Sequence, residues 1–193
     1  MGTVNRHAHA TMFGLARHPE QYERSAGRVA GRLHARAARD VAQLGLAAGA
    51  RVLDVGTGPG LLPRLIADAC PELQVDAVDL APEMIARAQA VAGDRIAFAV
   101  ADVCALPFPD ATFDVVVSTI SLHHWDDPPT ALREVRRVLR PGGRAWIYDV
   151  RWVVRRAERE AIVVAGSSLV SCESPLVGSS MVNPFGRLVV VPA

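Results

Sequence analysis

Between Arg51 and Val150 short apolar runs alternate with amphipathic stretches, and that alternation confines the chain to helices packed on a parallel sheet. RVLDV (51–55), LQVDAVD (73–79), RIAFAV (95–100), FDVVVST (113–119) and RAWIYDV (144–150) are the predicted strands. Between them, GLLPRLIADAC (60–70), PEMIARAQAVA (82–92) and DPPTALREVRRVL (127–139) carry apolar residues at helical spacing, such as Leu132, Val135 and Leu139. Proline at 82 and at 128 or 129 suits a first helical turn. Pro141-Gly142-Gly143 is expected to end the third helix and turn the chain into the fifth strand.

The flanks are expected to complete one domain over 1–193, since 193 residues, half of them hydrophobic, make one ordinary core and not two. Residues 1–19 read as an irregular arm. Residues 20–46 read as a helical region, with Val29, Leu33, Val41 and Leu44 on one side and Arg24, Arg28, Arg32 and Arg36 on a solvated stripe. Gly27 and Gly31 are expected to weaken that helix and break it in two. Beyond the 51–150 core, VVRRAEREAIVVA (153–165) reads as a helix, and 168–177 with 186–192 as an antiparallel hairpin.

Composition removes whole classes of chemistry. All 21 basic Lys/Arg positions are arginine, so neither a lysine Schiff base nor a GxxxxGK[ST] phosphate loop is available. A net charge of +1 does not suit general nucleic-acid binding, which needs a large counterion-releasing surface. Three scattered cysteines, Cys70, Cys104 and Cys172, suggest reduced buried thiols, and no spacing suggests a metal site. No apolar run reaches the roughly 18 residues of a membrane span, and the first residues lack a secretory layout, so a soluble, cytoplasmic protein is expected.

The strongest local signal is Asp54-Val55-Gly56-Thr57-Gly58-Pro59-Gly60, between the first strand and the first crossover helix. Ligands of open parallel sheets bind beyond the carboxyl ends of the strands, and glycines there let the backbone pass close beneath one. Asp79 ends the second strand nineteen residues beyond Gly60, where an acid can accept from ribose hydroxyls. These features indicate an adenosine-containing ligand. A dinucleotide would want glycine where Leu61 stands, for tight helix packing, and its pyrophosphate would be repelled by Asp54. A carboxylate there suits an ammonium group instead.

DVGTGPG, followed by VDLAPEM, VADVCALPF, FDVVVSTISLHHW and EVRRVLRPGG, resembles class I S-adenosylmethionine-dependent methyltransferases of the small-molecule, quinone-biosynthesis-like branch, over about Arg51 to Asp149. The resemblance implies a Rossmann-like three-layer α/β sandwich, its mostly parallel seven-stranded sheet ordered 3-2-1-4-5-7-6 with the last strand antiparallel. It implies that Gly56, Thr57 and Gly58 contact the methionine end of S-adenosylmethionine, with Gly60 completing the loop and Asp79 on the ribose. Leu80 would cover the adenine, Asp102 would accept from its amino group beside the Val103 amide, and Ser118 would lie near the sulfonium. QYERSAGRVAGRL resembles a lid helix, which nominates Tyr22 and Arg28 for the cofactor's carboxylate. Ala81 stands where a capping serine is common.

On the acceptor side, His123 and His124 follow the fourth strand, where an imidazole can take a proton or orient an acceptor. A loop-packing role for HHW is the competing reading. Apolar Leu106, Phe108, Ile120 and Leu122 favour a small acceptor with hydrophobic surface. Transfer from a sulfonium is an in-line displacement that needs no metal. Two other functions stay open: a cofactor-binding regulatory or partner module without catalysis, and, less favoured, an NAD-type oxidoreductase. The sequence leaves the oligomeric state open, a homodimer being one option.

Overall fold

The computed structural model describes the backbone of residues 19–165, 170–173 and 184–192, and the side chains of 30–92, 94–160 and 184–192. In chain order the elements are α1 (Pro19–Ala42), β1 (Arg51–Val55), α2 (Leu61–Ala69), β2 (Gln74–Asp79), α3 (Pro82–Ala92), β3 (Ile96–Val100) and β4 (Phe113–Thr119). They continue with α4 (Pro128–Val138), β5 (Leu139–Val150), α5 (Arg151–Ala165), β6 (Val170–Glu173) and β7 (Phe185–Val190). The sheet runs β3-β2-β1-β4-β5-β7-β6. The five core strands are parallel to their neighbours, β7 is antiparallel to both β5 and β6, and β6 adds a four-residue edge.

The order has a direct consequence. Chain direction reverses between β1, which leads outward to β2 and β3, and β4, which leads outward to β5. The crevice beyond the carboxyl ends of β1 and β4 is therefore the switch point at which such sheets bind ligands. Helices cover both faces. Val52, Ala77, Val117 and Tyr148 pack with Leu33, Ala37 and Val41 of α1 and Leu62 and Ile66 of α2. Leu53, Val116 and Ile147 pack on the other face with Leu132 and Val135 of α4 and Val154 of α5.

Three sequence expectations need correction. Helix α1 is continuous over Pro19–Ala42 and stops short of 46. The cost of a helical glycine, about 1 kcal/mol, is outweighed by complete burial of Leu33, Ala37 and Val41. The segment Pro141-Gly142-Gly143 lies inside β5 instead of before it. Pairing jumps from Phe113↔Leu139 to Val115↔Arg144, a bulge that absorbs the extra residues, with Gly142 in the left-handed region at φ 80°. Finally, the arginine stripe is not simply solvated: Arg32 is exposed, but Arg36 Nε donates to Asp40 at 2.7 Å. Arg24 and Arg28 lie outside the described side chains.

Asp40 starts a long-range network. Tyr148 of β5 donates its hydroxyl to Asp40 at 2.6 Å, and Arg187 of β7 reaches the same oxygen at 3.0 Å while lying over the Trp146 ring. Burial and the neighbouring carboxylate push the Tyr148 hydroxyl well above its usual pKa, so it remains a donor. These bonds tie α1 to the far half of the sheet.

Candidate ligand cleft and catalytic site

The cleft opens at the switch point and is lined from the β1 side by Val55, Gly56 and Gly58, and from the β2 side by Val78, Asp79 and Leu80. Asp102 and Val103 close the β3 side, while Ile120, Ser121 and His124 close the β4 side; its free volume is about 350 Å³. The glycine loop leaves β1 with the Gly56 and Thr57 amides both donating to the Val78 carbonyl, at 2.9 and 3.0 Å. Gly56 has φ 71°, and a Cβ placed on it would lie 2.4 Å from the Ser121 Cβ. No other residue fits that position. Gly60 serves a different end: its missing Cβ admits Ala88 of α3, 2.8 Å from where it would stand.

Three carboxylates surround the loop in different states. Asp79 is spoken for on both oxygens, accepting from the Gly58 amide at 2.7 Å and from the Ala81 amide at 2.9 Å. That second bond restrains the entry to α3, where Ala81 itself offers no cap. Asp102 caps the short turn Val103–Ala105 by accepting from the Cys104 amide at 2.8 Å, and it is exposed and lines the cleft. Asp54 differs from both. Strand alternation puts it on the face of Val52, the side covered by α1 and α2. It is buried, and neither of its oxygens has a hydrogen-bond partner among the described residues.

Burial pushes the Asp54 carboxyl up to about 7, with Asp79's charge adding to the rise and the adjacent Thr57 side chain opposing it. The Thr57 hydroxyl is likewise buried without a partner. Thr57 lies close enough to favour the Asp54 charge, yet neither group meets the geometry of a hydrogen bond, a costly arrangement in a finished core. It fits a site built to receive a hydrogen-bonding cation. The residues present therefore suit a ligand with an ammonium at one end and an adenosine at the other.

The β4–β5 side is held by a carboxylate that the sequence reading overlooked. Asp149, fully buried at the end of β5, lies 2.9 Å from the His123 ring through Nδ1 and also accepts the His123 and Val150 amides at 3.2 and 2.7 Å. Since a carboxylate only accepts, Nδ1 carries the proton, and in the neutral ring Nε2 is the acceptor nitrogen. His124 stacks obliquely on His123, centroids 4.0 Å apart, and it is His124 that lines the cleft. An acid at the carboxyl end of an otherwise apolar strand was the available signal.

Other expected residues are distributed less simply. Ser118 is completely buried and shares a 2.6 Å hydrogen bond with Ser121 Oγ, so Ser121 stands at the cleft wall with Ser118 behind it. Ser121 Oγ also accepts from Trp125 Nε1 at 3.2 Å. Leu106 and Leu122 are core residues, leaving Ile120 as the cleft's contribution from the four apolar residues named for the acceptor. Cys104 is only half-buried and lines the cleft, whereas Cys70 is buried; both are free thiols. Leu80 is exposed beside the cleft, as a residue that covers a ligand would be. The side chains of Tyr22 and Arg28 lie outside the described residues. Among the described residues no helix is long and apolar enough to cross a membrane, and no cluster of three or more His, Cys, Asp or Glu could hold a metal ion.

The chain is 39% identical over 123 residues to 27-O-demethylrifamycin SV methyltransferase of Amycolatopsis mediterranei, covering 61% of this chain and 45% of that protein. It is 41% identical over 102 residues to demethylmenaquinone methyltransferase of Thermus thermophilus, covering 51% and 46%. The chain thus spans just under half the length of these curated relatives. A TehB-like SAM-dependent methyltransferase of Corynebacterium glutamicum shares the fold, with a TM-score of 0.65 at 21% identity over 91% of this chain and all of that one. The family model described as "Methyltransferase domain" matches residues 53–147, which hold the glycine loop, Asp54, Asp79, Asp102 and both histidines. Over that span the chain is similar to methyltransferase domains.

Proposed function

We propose that the chain is an S-adenosylmethionine-dependent methyltransferase acting on a small, partly hydrophobic acceptor. The observation that carries this reading is Asp54: a buried carboxylate without a hydrogen bond, raised to about 7, on β1 just before the glycine loop that lines a cleft whose acids suit an adenosine. An ammonium entering there would ionise it and supply the missing hydrogen bond. A pyrophosphate would meet the same carboxylate as a like charge. When bound, S-adenosylmethionine supplies a methyl group activated by the sulfonium to which it is attached.

In this mechanism Asp54 and Thr57 hold the ammonium, and the Gly56–Gly58 backbone lets the chain of the ligand pass close to β1. Asp79 accepts from the ribose with the lone pairs its two amide donors leave, and Asp102 accepts from the adenine beside the Val103 amide. Leu80 covers the base. Tyr22 and Arg28 are proposed for the ligand's carboxylate. With the donor fixed, alignment supplies most of the acceleration. His124, which lines the cleft, takes the departing proton of the acceptor, while His123, held through Nδ1 by Asp149 and stacked on His124, positions that ring. Such a base is useful for an acceptor that must lose a proton, such as a hydroxyl.

The test is calorimetric titration with S-adenosylhomocysteine and, separately, NAD. Micromolar binding of the first and none of the second is expected. Tight NAD binding with no response to S-adenosylhomocysteine would overturn the reading. Methyl transfer from labelled donor into an extract of small molecules then separates the enzyme from a cofactor-binding partner module, which binds but yields no labelled product.

A further inference from the structure

Ile120 has φ 54°, in the left-handed region, where a β-branched side chain crowds its own backbone. Six glycines and Ala111 take the other left-handed positions among the described residues, so Ile120 is the one β-branched residue there. Its conformation is held from both sides. The Ile120 amide donates to the Tyr148 carbonyl at 2.8 Å, fixing it to β5. Ser121 is fixed in turn toward β1 and β4, donating to the Val55 carbonyl at 3.3 Å and sharing a 2.6 Å bond with Ser118. It is also seated in the space left by the absent Gly56 Cβ. The turn could take glycine at no steric cost, yet it carries an isoleucine that lines the cleft and also packs against the core between the sheet and its helices α1 and α2.

Strain that persists where a small residue would relieve it marks a position where the side chain is used. We propose that Ile120 is a donor-binding residue, held in a strained turn so that its side chain forms the apolar wall of the cleft beside Gly56 and packs against the bound methyl donor. This rests on the methyl-donor reading above. It differs in assigning the β4 side of the donor site to a hydrophobic contact, where the expected residue was the hydroxyl of Ser118. An apolar wall there also keeps water from the donor's reactive end.

The test uses Ile120→Gly, Ile120→Ala and Ile120→Val in the full chain, with thermal melting in the absence of ligand and calorimetric titration with S-adenosylhomocysteine well below the melting temperature. Glycine and alanine both remove the wall, and only glycine removes the strain. Ile120→Gly should therefore melt about 2–4 °C above Ile120→Ala, whereas at an ordinary backbone position the order reverses. Both should weaken S-adenosylhomocysteine binding about tenfold or more, and Ile120→Val, which keeps most of the wall, should stay within about threefold of wild type. Ile120→Ala melting above Ile120→Gly overturns the strain. Wild-type affinity in Ile120→Gly overturns the contact while leaving the methyl-donor reading intact. A wild-type chain that does not bind S-adenosylhomocysteine overturns that reading, and this assignment with it.

Discussion

The two halves of the cleft are built on different principles. The β1–β3 half draws on one loop and three strand ends within Asp54–Val103, where backbone amides from two to 21 residues away donate to Asp79 and Asp102. The β4–β5 half is assembled over long sequence distances, with Asp149 orienting His123 and Tyr148 anchoring both the Ile120 turn and Asp40 of α1. The first half resembles a mould whose shape is set by glycines. The second is a framework of side chains that hold one another. Binding should therefore fail when the mould is filled, and turnover should fail when the framework is cut.

The largest effect is expected from His124→Ala, which should lower kcat by about 10²–10⁴-fold while S-adenosylhomocysteine affinity stays within about twofold. Asp149→Asn should lower kcat by a smaller factor, because an amide can present its N–H to Nδ1 and turn the His123 ring against which His124 rests. Equal loss of donor affinity in either variant would erase the distinction between the halves. Gly56→Ala attacks the mould: the added Cβ meets Ser121, and donor affinity should fall about 100-fold or more with Tm lowered by several degrees. Calorimetry and a thermal melt read both.

Asp54→Asn should weaken S-adenosylhomocysteine binding by about 10–100-fold, the worth of a charge-assisted bond. The pH dependence sharpens this. A carboxyl raised from 3.8 to about 7 by burial favours the protonated folded state, so the ligand-free protein should lose stability as pH rises from about 4 through 7. The ligand needs the ionised form, so its affinity should rise across the same upper limb, from pH 6 to 8. Both slopes should flatten in Asp54→Asn, and a wild-type affinity independent of pH there would remove Asp54 from the ammonium site. The smallest effect is Tyr148→Phe. Asp40 keeps Arg36 and Arg187, so the cost is about 1 kcal/mol, or a Tm lower by about 2–4 °C, measured by calorimetric melting.

Much of the β1–β3 half was legible because its determinants are short-range. Glycine spacing, an acid at a strand end and an acid inside the loop each report their own backbone environment within a few residues. The other half was legible only in outline. His123 and His124 could be placed on the loop after β4, but which of them meets the cleft and which meets a carboxylate depends on Asp149, 26 residues on. Ser118 was placed by its position at the end of β4, where alternation alone does not say that Ser121 folds back in front of it. Gly27 and Gly31 misled because local propensity is weak beside the burial of α1 against α2 and the sheet.

By itself the sequence determined the α/β class, the mostly parallel sheet, the glycine loop and the identity of the acids around it, since hydrophobic period and turn chemistry act over distances shorter than one element. Only the tertiary structure decided that Asp54 is buried without a partner, that Asp149 directs His123, and that Ile120 is forced into a left-handed turn. Each of those depends on what other strands bring alongside, and desolvation, carboxylate pairing and strain exist only once the sheet has closed around them.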